Sequence, residues 1–366
     1  MAQQSNGENI KKRTPPPSCD ARTLDERGEW TDANVTTLYA RWICPLWNYN
    51  AYTVGKYWGT KELQRFDCGR SPSVRYGRLQ LSECHPPALL DLLPRRSTVW
   101  FIGDSVAYQH ESSFACRLLH EAHQRGIRTS LDRRPAKHHR EKWPWEPLVN
   151  PRDRSCSSAH CLGVRLNGSL TFQTCWVSAG GHCYTGEQDS VKHVSEVLIS
   201  AGVVQPADTI IMNEGLHHND AEFASARVAS LASQFTNASS PLHQARQHGI
   251  RFLWRETSPQ AFPGSPTGAW PGAKFNYSAR SCTPVERPKR PTALVKDLRM
   301  LEEANLPVVP IYNLTVGRWD AHLERRTRYA ATRPLDCTHF CEPSGVLDAW
   351  VDATVLAIAN AYPPHH

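Results

Sequence analysis

The sequence predicts an α/β protein with a mainly parallel sheet of five strands. Short apolar runs rich in β-branched and aromatic residues alternate with longer segments of helical periodicity, as in βαβ units. The runs show little polar alternation, which is typical of strands buried between two layers of helices. A chain of 366 residues is long enough for one large core of this kind.

Each element of the alternation follows from its own stretch of sequence. The strands are predicted at 98–103, 170–178, 208–213, 250–256 and 307–314. The helices are predicted at 106–125, 190–202, 220–248, 292–304 and 345–361. Because helices alternate with the strands, we expect three layers, with helices on both faces of the sheet.

Other segments differ in composition from this alternation. Residues 1–18 are polar and basic and end in Pro-Pro-Pro, which indicates a disordered stem or linker. Residues 19–93 are rich in cysteine and tryptophan with little periodicity, so we expect an irregular, disulfide-rich region packed on the domain that follows, residues 94–366. Within that domain, residues 127–169 are basic and contain histidine, and we interpret them as a surface insertion.

Cysteines and glycosylation sequons both indicate an oxidising compartment. The chain has 12 cysteines, without the paired spacing of a structural zinc site. Asn-x-Ser/Thr sequons begin at Asn34, Asn167, Asn237, Asn276 and Asn313. We therefore expect disulfides and N-linked glycans.

Charge and hydropathy bear on the partners of the chain. The formal net charge of +7 is mild and lacks a concentrated basic stripe, so we expect no nucleic-acid partner. The amino terminus has no apolar signal-peptide core, and no apolar run is long enough to span a membrane. A lumenal fragment without its signal anchor is the favoured interpretation, and a cytosolic protein with reduced cysteines is the alternative.

Polar side chains with catalytic chemistry follow the predicted strands, where ligands of open α/β sheets bind. The strand at 98–103 leads into Gly-Asp-Ser, with Ser105 at a helix start, where free N–H groups favour negative charge. Asp336 and His339 are spaced so that one turn brings the carboxylate against the imidazole. An aspartate and a histidine in such contact can activate a serine nucleophile. Each feature also has a purely structural interpretation. Gly-Asp-Ser is a common turn sequence. Asp336 is alternatively a helix N-cap, and His339 is alternatively a surface or core histidine.

Two further strand ends supply polar groups. Asn213 and Gly215 follow the third strand, and Asn213 is a candidate oxyanion donor or, alternatively, a turn residue. Arg255 follows the fourth strand and is a candidate substrate contact or a partner of Glu256. The neighbouring His217 lacks carboxylate or cysteine partners at ligand spacing, so we expect no metal site.

The order Ser, Asn, Asp-x-x-His resembles that of the SGNH, or GDS-type, esterases. The stretches "FIGDS", "MNEG", "RETSPQAF", "VGRWDAH" and "DCTHFC" resemble successive landmarks of the plant trichome birefringence-like proteins, polysaccharide O-acetyltransferases of the PC-esterase superfamily. The amino-terminal stretches "GEW", "CPLW" and "RFDCG" resemble the region that precedes those landmarks, so the likeness covers residues 19–360. The sequence departs from the family after the nucleophile, where Tyr108-Gln109-His110 replaces Asn-Gln-Trp or Arg-Asn-Gln, and Phe340 replaces a tryptophan.

The resemblance implies a fold, a site and a location. The fold is SGNH-hydrolase-like, and the location is the Golgi lumen, as a type II membrane protein, or the secreted space. The implied triad is Ser105–His339–Asp336, with the Ser105 N–H and Asn213 as oxyanion donors. Substrate contacts are expected from Gln109, Gly215, His217 and Arg255. By analogy the disulfides are Cys19–Cys84, Cys44–Cys116, Cys68–Cys341 and Cys282–Cys337, with pairing of the remaining four among themselves, Cys156, Cys161, Cys175 and Cys183.

The function expected from residues and resemblance together is O-acetyl transfer to a polysaccharide or oligosaccharide hydroxyl through an acyl-Ser105 intermediate. The acetyl donor, acetyl-CoA or another acetyl carrier, is a co-substrate, and no bound cofactor is expected. A carbohydrate acetylesterase with the same triad is the first alternative, and a non-catalytic glycan-binding protein is the second.

Overall fold

The structure is a computed structural model that describes residues 19–32, 77–80, 85–134, 159–179, 190–216, 221–270, 279, 281–324, 335–341 and 344–363. The helices are α1 (Ala21–Arg27), α2 (Leu89–Leu92), α3 (Ser105–Gln124), α4 (Val191–Ser200), α5 (Ala221–Thr236), α6 (Pro241–Gln247), α7 (Thr292–Glu303), α8 (Tyr312–Val316) and α9 (Val346–Ala361). The strands are β1 (Glu29–Asp32), β2 (Gly77–Gln80), β3 (Thr98–Gly103), β4 (Thr129–Arg134), β5 (Ala159–Leu166), β6 (Ser169–Ser178), β7 (Thr209–Met212), β8 (Arg251–Arg255), β9 (Val308–Val309), β10 (His322–Glu324) and β11 (Asp336–Phe340).

The central sheet is mixed and has seven strands in the order β4-β5-β6-β3-β7-β8-β9. The predicted α/β class is confirmed, and the five predicted strands correspond to the consecutive parallel strands from β6 to β9. The predicted total of five strands is too small, because β4 and β5 add an antiparallel edge next to β6. These two strands lie within residues 127–169, the segment that we interpreted as an insertion.

The hairpin between β5 and β6 explains why these strands were missed. It turns at Asn167-Gly168, both with positive φ, as a tight hairpin requires. Asn-Gly between two extended runs is a strong hairpin signal, but the basic composition around it favoured an insertion. The Cys161–Cys175 disulfide joins facing residues of the two strands and holds their register.

Helices cover both faces of the sheet, as the apolar runs predicted. Along β3, Val99 and Phe101 lie in a cluster with side chains of α3 and α9. The alternate residues Trp100 and Ile102 lie in a second cluster with side chains of α4, α5 and α6. All four are nearly inaccessible to solvent, and each such side chain stabilises the fold by about 1.5–3 kcal/mol. This two-sided burial is the reason why the strand carries an unbroken apolar run.

The described part of the amino-terminal region packs on the α/β core. Helix α1 places Leu24 in the cluster that contains α3 and α9. The buried Asp25 binds Arg290, which also binds the buried Glu256 at the end of β8. Burial raises the pKa of Asp25, while its hydrogen bond from the Leu314 N–H and the Arg290 charge oppose the shift. The region predicted to be irregular therefore supplies regular elements and a buried ionic contact.

Two predicted elements differ in detail from the structure. Only Val308–Val309 of the strand predicted at 307–314 is extended, because Glu256 accepts the N–H groups of Ile311 and Tyr312 and caps α8 there. The single helix predicted at 220–248 is two helices, since Ser240 accepts N–H groups of α6 and Pro241 occupies its first turn.

The described disulfides are Cys161–Cys175 and Cys282–Cys337. The second is one of the pairs implied by the family resemblance, and the first joins two of the four remaining cysteines. Cys19, Cys116 and Cys341 are also disulfide-bonded. Outside the described residues lie the other cysteines of the predicted pairs, Cys44, Cys68, Cys84, Cys156 and Cys183.

Among the described residues, no helix is both long and apolar enough to cross a membrane.

Gly103 allows the ends of β3 and β7 to converge. A Cβ atom at this position would lie 2.8 Å from the carbonyl oxygen of Asn213 and 3.0 Å from the Cβ of Ala107. Backbone and helix atoms at these distances cannot move aside cheaply, so the close approach requires glycine. Gly103 thereby places Asn213 beside the turn that leads into Ser105.

We expect Gly103→Ala to lower the free energy of unfolding by about 2 kcal/mol, because the added methyl overpacks this junction. Urea denaturation of the disulfide-intact protein measures the change. Gly317→Ala is the matched control: a Cβ there meets no described atom within 4 Å, so stability should be unchanged or slightly higher. Equal urea midpoints for Gly103→Ala and the native protein would contradict the close-approach explanation.

Candidate active site

Ser105 is the first residue of the 20-residue helix α3, directly after β3. The Asp104 side chain caps this helix, with its Oδ1 accepting the N–H groups of Val106 at 2.9 Å and Ala107 at 3.1 Å. The Ser105 side chain is partly exposed, whereas the two residues after it are buried. The cap thus fixes a hydroxyl at the positive end of a long helix, open to solvent.

Ser105, His339 and Asp336 form a hydrogen-bonded series. The Ser105 Oγ lies 2.7 Å from the His339 Nε2. On the other side of the ring, the His339 Nδ1 lies 2.9 Å from the Asp336 Oδ2. Because a carboxylate only accepts, Nδ1 carries the proton and the neutral ring leaves Nε2 free to accept from the Ser105 hydroxyl. The three predicted residues therefore meet in the geometry of a nucleophile, a base and an orienting acid.

The backbone between Asp336 and His339 is part of β11, not the single turn that we predicted. The strand is irregular at this point, since its register with β10 shifts between His322 and Glu324. Asp336 Oδ1 accepts the backbone N–H groups of Thr338 and His339, each at 3.1 Å. These bonds turn the chain so that the carboxylate meets the imidazole three residues later.

Gln109 does not line a substrate groove, contrary to our prediction. It is fully buried, and its amide pairs with both backbone groups of Phe340: the Nε2 donates to the carbonyl at 2.7 Å, and the Oε1 accepts the N–H at 3.0 Å. One turn along α3 from the nucleophile, Gln109 therefore clamps the residue that follows His339. Because the side chain is fully buried and both ends of its amide bond to the Phe340 backbone, it does not reach a substrate groove in this arrangement.

His322 supports His339 from β10, a role that we did not predict from the sequence. Its Nδ1–H donates to the His339 carbonyl at 3.2 Å, and its ring lies 4.3 Å from the Phe340 ring centroid. Burial lowers the pKa of His322 to about 4, although the Asp336 charge opposes the shift. The stretch "VGRWDAH" contains this histidine, so the signal was present without an assigned role.

Further contacts hold β11 in place. The Cys282–Cys337 disulfide links the strand to the loop that precedes α7. Gln260 Nε2 donates to Thr338 Oγ1 at 2.7 Å, and Ala261 N donates to the Cys337 carbonyl at 3.1 Å. The base is therefore supported from several elements, which limits the positions that its ring can take.

Asn213 follows β7 and is 1% exposed. Its Nδ2 donates to the Arg255 carbonyl at 3.1 Å, and its Oδ1 accepts from the Arg255 guanidinium. These two bonds assign the amide orientation, since the guanidinium can only donate. An amide nitrogen carries two protons, and the bond to the Arg255 carbonyl uses one of them.

Arg255 lies behind Asn213 and, contrary to our prediction, does not line an acceptor groove. It is 1% exposed, and its guanidinium carbon lies 5.0 Å from the centroid of the Trp350 ring. Burial lowers the pKa of Arg255 to about 10, and the Asp104 carboxylate opposes the shift. Arg255 is thus a buried cation at neutral pH. Its alternative partner, Glu256, binds Arg290 instead.

Gly215 and His217 are the remaining predicted contacts. Gly215 has a φ of +123° and is partly exposed, and a Cβ there would lie 3.0 Å from Thr257 Oγ1. Thr257 donates to the Glu214 carbonyl at 2.7 Å, so this turn at the rim is tied to the loop after β8. His217 lies outside the described residues.

Comparison of the chain with models of protein families and with curated proteins finds no match. Within the described ranges, no group of three or more histidine, cysteine, aspartate or glutamate side chains is arranged to hold a metal ion.

The buried, neutral His322 should make the fold sensitive to acid. Its pKa is about 4 in the folded protein and about 6.5 when unfolded, so between these values the unfolded chain binds more protons. The contribution of His322 therefore lowers the free energy of unfolding by about 3 kcal/mol as the pH falls from 6.5 to 4.

We expect His322→Gln, which keeps a donor for the His339 carbonyl, to remove this part of the pH dependence. Urea denaturation of the native protein and of His322→Gln between pH 7 and pH 4 measures the difference. All other titrating groups are common to the two proteins. His248→Gln, at an exposed site, is the control and should retain the native dependence. Parallel curves for His322→Gln and the native protein would exclude His322 as the acid-sensitive group.

Proposed function

We propose that the protein is a serine-dependent O-acetyltransferase acting on hydroxyls of a polysaccharide or oligosaccharide. The observation that carries the proposal is the series Ser105–His339–Asp336, with bonds of 2.7 and 2.9 Å and a partly exposed nucleophile. In such a series the histidine removes the proton of the serine hydroxyl, which activates that oxygen for acyl transfer. The choice of acetyl group and sugar acceptor rests on the family resemblance of the sequence.

The order of the parallel strands supports an SGNH-hydrolase-like arrangement for the proposed enzyme. After β3 the chain passes through α3 and the edge strands β4 and β5 to β6 on one side of β3. After α4 it continues with β7 on the other side of β3. The carboxyl ends of β3 and β7 thus flank the point where the strand order reverses, which is where open α/β sheets bind ligands. Ser105 and Asn213 follow these two strands.

In the first step, His339 Nε2 accepts the proton of Ser105 as the Oγ attacks the acetyl carbonyl of the donor. The oxyanion is stabilised by the free N–H of Ser105 and by Asn213, worth about 3 kcal/mol for each donor. Asp336 stabilises the imidazolium. When the bond to the donor breaks, the leaving group takes the proton from His339, and the acetyl group remains on Ser105.

In the second step, His339 accepts the proton of a sugar hydroxyl as that oxygen attacks acetyl-Ser105. Collapse of the intermediate breaks the bond to Ser105, whose Oγ regains a proton from His339. Water in place of the sugar gives acetate and makes the protein an acetylesterase, the first alternative. The two activities use the same residues and differ in which hydroxyl reaches the acyl-enzyme.

Arg255 acts as a positioning residue in this mechanism. Its guanidinium and carbonyl hold both ends of the Asn213 amide, and its charge lies in a nearly water-free environment. A buried cation that polarises a donor strengthens it toward developing negative charge. We infer that Asn213 and Arg255 work as one unit.

The proposed location, the Golgi lumen or the secreted space, is supported by exposed glycosylation sequons and by disulfides. Asn167, Asn237 and Asn313, each the start of a sequon, are exposed. The disulfides Cys161–Cys175 and Cys282–Cys337 fit an oxidising compartment as well.

Purified, disulfide-intact protein incubated with acetyl-CoA or 4-nitrophenyl acetate and a panel of oligosaccharides tests the function by mass spectrometry. We expect acetylated sugar that disappears in Ser105→Ala and persists in the exposed-site control Ser233→Ala. Donor hydrolysis without acetylated sugar would favour the esterase. Oligosaccharide binding without donor turnover would favour the glycan-binding alternative, and full activity of Ser105→Ala would contradict the triad.

A double-mutant cycle tests the Asn213–Arg255 unit. Asn213→Ala and Arg255→Met should each lower kcat by about 10²–10³-fold, and the double variant should be little worse than Asn213→Ala alone. Arg255→Lys keeps the charge without the forked geometry and should recover only part of the loss. Far-UV circular dichroism confirms folding, and multiplicative losses in the double variant would show that the residues act independently.

A further inference from the structure

Two aromatic side chains lie beside Ser105, and neither takes part in the mechanism above. Tyr108 is one helical turn after Ser105, so the two side chains share a face of α3. Both are partly exposed, whereas the intervening Val106 and Ala107 are buried. Tyr108 therefore borders the same opening as the nucleophile.

Trp176 comes to this opening from β6. Its indole N–H donates to the carbonyl of Asp104 at 3.0 Å, the peptide group that leads directly into Ser105. Its ring centroid lies 5.1 Å from that of Tyr108, with the planes tilted by 48°. Trp176 is also partly exposed. The nucleophile is thus flanked by two fixed rings, one of them bonded to its own backbone.

The chemistry of the pair favours one class of ligand. The indole N–H is occupied by Asp104, so Trp176 offers its ring surface rather than a polar group. Aromatic faces carry negative charge density and attract weakly positive C–H groups. A pyranose ring presents such C–H groups on one face and hydroxyls at its edge. A sugar stacked on the pair can therefore direct a hydroxyl at the neighbouring acyl group.

We propose that Tyr108 and Trp176 form the acceptor subsite, which binds a neutral pyranose ring by stacking. This inference rests on the proposed function and specifies its acceptor. Tyr108 stands where the sequence departs from the family, so the acceptor contact is a property of this chain. The subsite also gives an acyl-enzyme a means to favour a sugar over other hydroxyl compounds, because a ring with a face of C–H groups gains from stacking.

Competition between two acceptors tests the subsite. The complete protein is acylated with 4-nitrophenyl acetate in the presence of methyl β-glucopyranoside and glycerol, and both acetyl esters are quantified by mass spectrometry. The two acceptors compete for the same acyl-enzyme, so their product ratio is independent of how fast Ser105 is acylated. A loss of general folding or of catalytic efficiency changes the yield and leaves the ratio unaltered.

We expect the native protein to favour the pyranoside over glycerol. Tyr108→Ala and Trp176→Ala should each lower the pyranoside-to-glycerol ratio about tenfold, and Tyr108→Phe should preserve it, since the ring face is retained. Leu170→Ala is the control: this side chain, 44% exposed, lies at the opposite end of β6 and should leave the ratio unchanged.

The outcomes separate this inference from the function on which it rests. An unchanged ratio in both alanine variants, or no native preference for the pyranoside, would overturn the acceptor subsite while leaving acyl transfer intact. An altered preference for butyryl over acetyl donors at a constant acceptor ratio would also overturn it and make the pair an acyl-chain contact. If the native protein forms no ester, or if Ser105→Ala still forms it, the proposed function itself fails.

Discussion

The paired hydrogen bonds between the Gln109 amide and the Phe340 backbone hold β11 against α3, and the nucleophile and its base depend on that contact. Ser105 lies at the start of α3. His339, which is 234 residues after Ser105 in the chain, is adjacent to Phe340. A shift of β11 by about 1 Å would lengthen the 2.7 Å contact between Ser105 and His339 beyond hydrogen-bond distance. The Cys282–Cys337 disulfide and His322 restrain the same strand from other directions. Precision at the site therefore comes from several elements that converge on a short, irregular strand.

Buried polar groups behind the site serve the same purpose. Asp104 caps α3, and Arg255 holds Asn213. Neither residue is more than 3% exposed, so the charges interact in a medium of low polarity. Burying such groups costs free energy unless they are bonded, and here the bonds orient the groups around Ser105. Burial of Asp104 and Arg255 thus lowers the stability of the fold, but it orients the groups around a site at which negative charge develops.

Local sequence patterns were sufficient to predict the parallel strands and to bring Ser105, Asp336 and His339 into one hypothesis. Apolar runs determine strands directly, and a serine after a strand or an aspartate near a histidine is visible in the chain. The roles of Gln109 and Arg255 were predicted wrongly for a common reason. Whether a polar side chain faces a groove or is buried against a backbone group depends on elements distant in sequence. Asn167-Gly168 is different, since its hairpin signal was local and was outweighed by the composition around it.

The mechanism requires Ser105 to carry the acyl group, and direct detection of acetyl-Ser105 tests this requirement. The protein is mixed with 4-nitrophenyl acetate, quenched in acid within milliseconds, digested and examined by mass spectrometry. We expect one acetyl group on Ser105, formed in step with the first burst of 4-nitrophenol and lost as acceptor is added. Turnover of the donor with acetylation at another residue, or at none, would show that Ser105 is not the nucleophile.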